Sequence, residues 1–162
     1  QFTNELGQTV NLSFEKAAPL IAKYEGSKGK LVENKKGMYK GSRDVGKYGI
    51  NEGWFANTSE PEKKFEYANR EVNSFKYNKD GTVSKAWQDI NKLLTAEMQK
   101  KYPDGNWKTN DVQYQMTAIA LVKNNDEVGE KVARILYDQF GISKWAANTE
   151  NKVLKQLNLK KL

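Results

Sequence analysis

Among its 162 residues the chain has neither histidine nor cysteine, so any chemistry must come from oxygen and amine groups. Ser-His-Asp triads, His- or Cys-based zinc sites, thiol nucleophiles and disulfides are excluded. Asp, Glu, Tyr and Lys remain as proton carriers, and the 20 carboxylates are the first place to look. Glu25 is the most suggestive of them. It closes a segment of helical apolar spacing, beside Tyr24 and directly before Gly26. A carboxyl at a helix C-terminus meets the negative end of the dipole, and an aromatic neighbour desolvates it; both raise its pKa. A raised carboxyl suits a general acid for a glycosidic oxygen. The plainer alternative is a surface helix residue.

Two further stretches join it. In Gly46-Lys47-Tyr48-Gly49-Ile50-Asn51 two glycines bracket an aromatic and a polar residue. The backbone there is open to close approach by a ligand, or Tyr48 and Ile50 simply pack in a hairpin. Gly53-Trp54-Phe55 follows. Its aromatics suit stacking on sugar rings, or they anchor the loop to the rest of the domain.

The elements that must position these residues are an initial helix, a glycine-rich stretch and a helical remainder. Ser13 is a fair N-cap for a helix over 13–26, with Leu20, Ile21 and Tyr24 on one apolar face and Gly26 as its stop. Pro19 suggests that the regular helix begins only there. Seven of the 12 glycines fall between Gly26 and Gly53, which predicts loops and a small irregular β-hairpin over 26–58, holding what β structure the domain has. Residues 59–162 read as mostly helical. Ala86, Trp87, Ile90, Leu93, Leu94 and Met98 keep one helical period; Val112, Met116, Ile119 and Ala120 a second; Val128, Val132, Ile135, Leu136 and Phe140 a third. Asn78–Gly81 and Pro103–Gly105 are turns, and Ser143 caps a last helix in which Trp145 is a core residue. The length fits one domain over 1–162, of α+β class, mainly helical with a small β-hairpin region.

With 27 Lys and Arg against 20 Asp and Glu, the net charge is +7. That suits a polyanion partner, whether nucleic acid, anionic lipid or an acidic wall polymer, or merely a soluble surface. No phosphate loop, zinc-finger spacing or aromatic RNA-reading motif is present, so nucleic acid is not favoured. The basic stretch Asn151–Leu162 carries Val153, Leu154 and Leu157 at helical spacing and reads as a docked helix. No apolar run approaches the ~18 residues of a membrane span. The opening Gln1-Phe2-Thr3 reads as a mature form or a piece of a longer chain.

The order of these motifs resembles the lysozyme superfamily. Glu25-Gly26 at a helix end is followed by Tyr48-Gly49-Ile50-Asn51, then by Ala133 to Ile135 and by Gly141 to Ala147. The Glu-Gly pair also looks like that of phage-type muramidases. The resemblance spans residues 14–150. It implies a lysozyme-like fold and cleavage of peptidoglycan glycan strands, with Glu25 as general acid and Tyr48, Gly49, Asn51 and Trp54 as substrate contacts. It implies no metal or cofactor, a monomeric domain, and a secreted, cell-envelope or phage-virion location. Retaining members place an Asp just before the Tyr-Gly element. Lys47 stands there, leaving Asp44 as the nearest second carboxylate, with the Lys47 cation at hand to keep it ionised. Transglycosylase members, which need one carboxylate, carry Met-Gln where this chain has Asn51-Glu52. The resemblance therefore leaves hydrolase and transglycosylase both open. A non-catalytic wall-binding or phage structural domain of the same fold and a basic nucleic-acid-binding domain are the rival classes.

Overall fold

Ser13 starts the first helix as its residue type predicts. The computed structural model describes residues 2–3, 9–10, 12–26, 31–35, 41–56, 64–65, 70–71 and 75–141. A two-residue antiparallel pair, β1 (Phe2–Thr3) with β2 (Thr9–Val10), precedes helix α1 (Phe14–Glu25). The Ser13 hydroxyl accepts the Lys16 amide at 3.4 Å, serving one of the donors that a helix start leaves over. Pro19 does not delay the helix: α1 begins at Phe14 and runs through it. Buried Phe14 anchors the first turn. The N–H that proline lacks would have served the Glu15 carbonyl, and both residues are exposed, so water can take that place. The inward face is Phe14, Ala17, Ala18 and Ile21, while Leu20 and Tyr24 are only partly buried.

A three-stranded antiparallel sheet follows, β3 (Leu31–Glu33), β4 (Arg43–Val45) and β5 (Ile50–Asn51), in that spatial order. Leu31 pairs with Val45, Val32 with Asp44 and Glu33 with Arg43; Asp44 pairs with Asn51 and Val45 with Ile50. Side chains alternate between faces, so Val45 and Ile50 enter the core while Asp44 and Asn51 lie on the opposite face. A 3₁₀ turn, Glu52–Phe55, leads off β5 into the core. The β structure extends beyond 26–58. Besides β1 and β2, β6 (Lys64–Phe65) pairs with β7 (Arg70–Glu71), and Tyr77 bridges Val83 around the Asn78–Gly81 turn. Two-residue strands carry too little alternation to be read from sequence. Among the described residues after the 3₁₀ turn, the first α-helix is the one that starts at Lys85; residues 57–63, 66–69 and 72–74, which fall in the stretch read as mostly helical, lie outside the described residues.

Three helices form the other part: α2 (Lys85–Lys101), α3 (Asp111–Asn124) and α4 (Asp126–Phe140). Ser84, Asn110 and Asn125 cap their N-termini through side-chain oxygens. Gly141, at φ +66°, stops α4. α2 buries Ala86, Trp87, Ile90, Leu94 and Met98 on the expected stripe. α3 differs: it buries Tyr114, Gln115, Ala118, Ile119, Leu121 and Val122, and leaves Met116 47% exposed. It is covered over a wide arc because it packs on α2, α4 and the 3₁₀ turn together. Trp87 donates its indole N–H to the Ala56 carbonyl at 2.7 Å. α1 docks on α4 through the Glu15–Arg134 ion pair and the hydrogen bond from the Tyr137 hydroxyl to the Leu12 carbonyl. The described residues thus form a mixed α+β arrangement with four α-helices and a small three-stranded antiparallel sheet. The helix expected from Lys144, with Trp145, and the basic stretch Asn151–Leu162 lie outside the described residues.

Candidate active site

The end of α1 rests directly on the turn between β4 and β5. Gly49 holds φ +62°, and a Cβ there would fall 1.9 Å from the Glu25 carbonyl oxygen. Gly26 has an ordinary extended backbone, yet its Cβ would lie 2.2 Å from the Lys47 carbonyl oxygen and 2.3 Å from that of Ala22. The two glycines therefore let two backbones touch where any side chain would part them. The close approach read into Gly46–Asn51 is filled by the chain's own helix end. Glu25 is half-buried at this junction. Asp44 and Asn51 lie two residues to either side of the turn, about 7 Å along the strands at ~3.3 Å per residue. The Glu25 backbone thus abuts the turn that begins two residues after Asp44.

Asp44 sits in a shell of amides. Its Oδ1 accepts from Asn34 Nδ2 at 3.2 Å and from Asn51 Nδ2 at 3.3 Å. Both amides also reach the Ser42 hydroxyl, at 3.3 and 2.9 Å. The Asn51 amide is held in turn, because its Oδ1 accepts the Gly53 N–H at 2.9 Å. Asn34, Ser42, Asp44 and Asn51 form one polar face, as alternation along β4 and pairing across the sheet require. Burial pushes the Asp44 carboxyl up from its ordinary value; the two asparagine amides pull it back, and the Glu52 charge adds a small upward push. Lys47 does not play the part expected of it. It is exposed, its ammonium lies 5.7 Å from the Tyr48 ring centre, and the ionised form of Asp44 is held by amides instead.

Sequence reasoning missed Asn34, Ser42 and the role of Glu52. Glu52 is 1% exposed and accepts the Arg43 amide at 2.6 Å and the Arg43 guanidinium Nε at 3.0 Å. Buried Gln115, from α3, donates to the Glu52 carbonyl at 3.0 Å. This carboxylate therefore ties β4 to the 3₁₀ turn, one residue from Asp44. A signal was present for two of the three. Ser42 and Asp44 alternate with Arg43 and Val45, and Glu52 is an acid between Ile50 and the Trp54-Phe55 pair.

The aromatics expected as substrate contacts are packing residues. Tyr48 is 4% exposed, with its ring 6.4 Å from that of Phe14. Burial first, then Glu130 and Asp126, push its phenol up, so it stays protonated. Trp54 is 7% exposed, its ring 5.0 Å from Phe75 and 6.0 Å from Phe140. Gly53 is pressed beneath Phe75, whose ring atoms lie 2.2 Å from where its Cβ would be. These burials correct the substrate-contact expectation for Tyr48 and Trp54, because neither ring offers a face to a sugar. Gly49 contacts Glu25, whereas Asn51 remains on the polar face. Among the described residues no group of three acidic side chains is placed to hold a metal ion, and no helix is long and apolar enough to cross a membrane.

No protein-family model, no curated protein and no solved structure matches this chain.

Proposed function

We propose that the chain cleaves the glycan strands of peptidoglycan, with a lysozyme-like division into a small sheet and a helical part. The observation that carries the reading is the contact of the Glu25–Gly26 helix end with the turn that joins the strands of Asp44 and Asn51. One acidic residue ends a helix, and a second sits in an amide shell two residues from the turn that this helix end touches. Two carboxyls in unlike surroundings are what glycoside cleavage requires. Glu25 protonates the leaving oxygen between the two amino sugars. Asp44, acceptor-only when ionised, faces the developing oxocarbenium-like centre as nucleophile, as electrostatic partner or as the group that positions water.

The hydrolase form is favoured over the transglycosylase form by the Asp44 shell, since a mechanism with one carboxylate has no use for a second one so held. The +7 charge favours residence on an anionic wall, and therefore action outside the cytoplasm or from a virion. The test is loss of turbidity of purified cell walls, with mass analysis of the products. Wild type should clear the walls and leave reducing ends. Glu25→Gln should leave them intact, and Asp44→Asn should clear them slowly. Anhydromuramyl products from a fully active Asp44→Asn would select the transglycosylase reaction. Wall binding without any clearing by wild type would leave a glycan-binding domain. Neither clearing nor binding would end the reading.

A further inference from the structure

One side chain on the polar face of the sheet is unlike its neighbours. Val32 pairs directly with Asp44 and is 48% exposed. β4 is the central strand, so Asp44 has Asn51 on one side and Val32, on the edge strand β3, on the other. Directly opposed residues keep their Cβ atoms about 4.5–5.5 Å apart. The valine methyls therefore stand beside a carboxylate whose other surroundings are Asn34, Ser42 and Asn51. A lone exposed valine needs no explanation on most surfaces, and β-branched residues are common in strands. What marks Val32 is its place: it is the apolar member of the face that carries the candidate second carboxylate, while the core face of the sheet is served by Val45 and Ile50.

We infer that Val32 is a specificity-determining contact, packing against a methyl-bearing substituent of the amino sugar bound over Asp44. The inference rests on the glycan-cleavage reading above. Amino sugars of the wall carry such a methyl on the acetamido group and, on every second ring, on the lactyl ether. Both are short apolar ends on polar stems, and a valine beside the Asp44 carboxylate matches that combination. The polar face lies along the stem and Val32 meets the methyl.

The test uses Val32→Thr, which keeps the branched shape and strand preference while replacing one methyl by a hydroxyl. Val32→Ala accompanies it. KM and kcat are measured on soluble peptidoglycan fragments, and inhibition constants are measured for chitin oligomers, which have acetamido but no lactyl groups. Losing one methyl contact should raise KM about three- to five-fold, with kcat little changed and thermal midpoint close to wild type. An equal rise in the chitin inhibition constant assigns the contact to the acetamido methyl. A KM rise with chitin inhibition unaltered or absent assigns it to the lactyl methyl. Unchanged KM in both variants, or a fall in kcat alone, overturns the inference while leaving glycan cleavage standing. Absence of cleavage by wild type removes the reading on which it rests, and the inference with it.

Discussion

Replacing Gly49 by alanine should remove activity far beyond its effect on stability, and the structure separates the two contributions. At φ +62° an L side chain costs about 1–2 kcal/mol of backbone strain. The new Cβ would also lie 1.9 Å from the Glu25 carbonyl oxygen, so the helix end must retreat by about 1.5 Å to reach ordinary contact. A misplacement of ~1 Å at a reacting group can lower a rate about a hundred-fold. Two other glycines serve as controls. Gly81→Ala meets the same backbone strain at φ +86° with nothing within 4 Å. Gly26→Ala has no positive φ, yet sets its Cβ 2.2 Å from the Lys47 carbonyl oxygen. The assay is wall clearing at a temperature where urea titration shows each variant more than about nine-tenths folded. Gly81→Ala should lose about 1–2 kcal/mol and no activity. Gly26→Ala and Gly49→Ala should each lose on the order of a hundred-fold in rate. If the folded Gly49→Ala and Gly26→Ala proteins clear walls as fast as Gly81→Ala, the position of Glu25 on the turn is irrelevant to its chemistry and the reasoning fails.

Asp44→Asn should stabilise the fold at neutral pH while slowing wall lysis. Burial raises the Asp44 pKa in the folded state, so the folded chain binds the proton more tightly than the unfolded one. Wild-type stability then falls as pH rises from the ordinary carboxylate value of 3.8 through the raised one. The advantage of Asn over Asp should therefore vanish at pH 3, and an advantage that persists there would contradict this origin. Glu52→Gln removes one partner of a buried ion pair. That costs about 3–5 kcal/mol, here toward the lower end because the Arg43 side chain is 22% exposed, and urea unfolding measures it. With the Glu52 charge gone, the Asp44 titration should move down, seen as a shift of the acid limb of the pH–rate profile to lower pH. Trp54→Phe should lower stability through lost packing against Phe75 and Phe140 yet leave KM for glycan unchanged; a raised KM would return Trp54 to the binding surface.

How far the sequence carried the reading follows from which signals are local. Ser13 as a cap is a local matter, and it places the start of α1 correctly. Gly26 also stops the helix, and part of what requires it is beyond any local rule: besides the Ala22 carbonyl of its own helix, its missing Cβ makes room for Lys47, 21 positions along the chain. The same holds for Gly49, whose partner is Glu25. Periodicity located α2 and α4 and most of their buried stripes, because each shows one face to the core, although Leu93, Ile135 and Phe140 are only partly buried and Ala133 and Tyr137 join the α4 stripe. It misjudged α3, where Met116 is exposed and Tyr114 and Gln115 are buried, because a helix covered over a wide arc has no single stripe to find. Trp54 beside glycine suits a sugar platform and a core anchor equally, and only burial decides between them. The amide shell was hidden for a different reason. Asn34 comes ten residues before Asp44 and is brought to it by strand register, which a span of three short strands does not advertise.

The two candidate carboxylates are held by different means, and this is the physical content of the site. The Glu25 backbone meets the turn directly, an approach that the missing Cβ atoms of Gly26 and Gly49 allow. Asp44 is placed by side chains, through amides that donate to it and a hydroxyl that both amides share. Beneath it Glu52 takes the charge of Arg43, so the cation nearest in sequence on β4 is already engaged. That leaves neutral donors to stabilise Asp44. Neutral donors hold an ionised carboxylate without cancelling its charge, as a directly paired Arg or Lys would. The remaining charge is then available to a positive centre forming on a substrate. In a chain without histidine, the proposed reaction would draw on this contrast, with Asp44 held by neutral amides on the sheet and Glu25 set at the helix end against the turn.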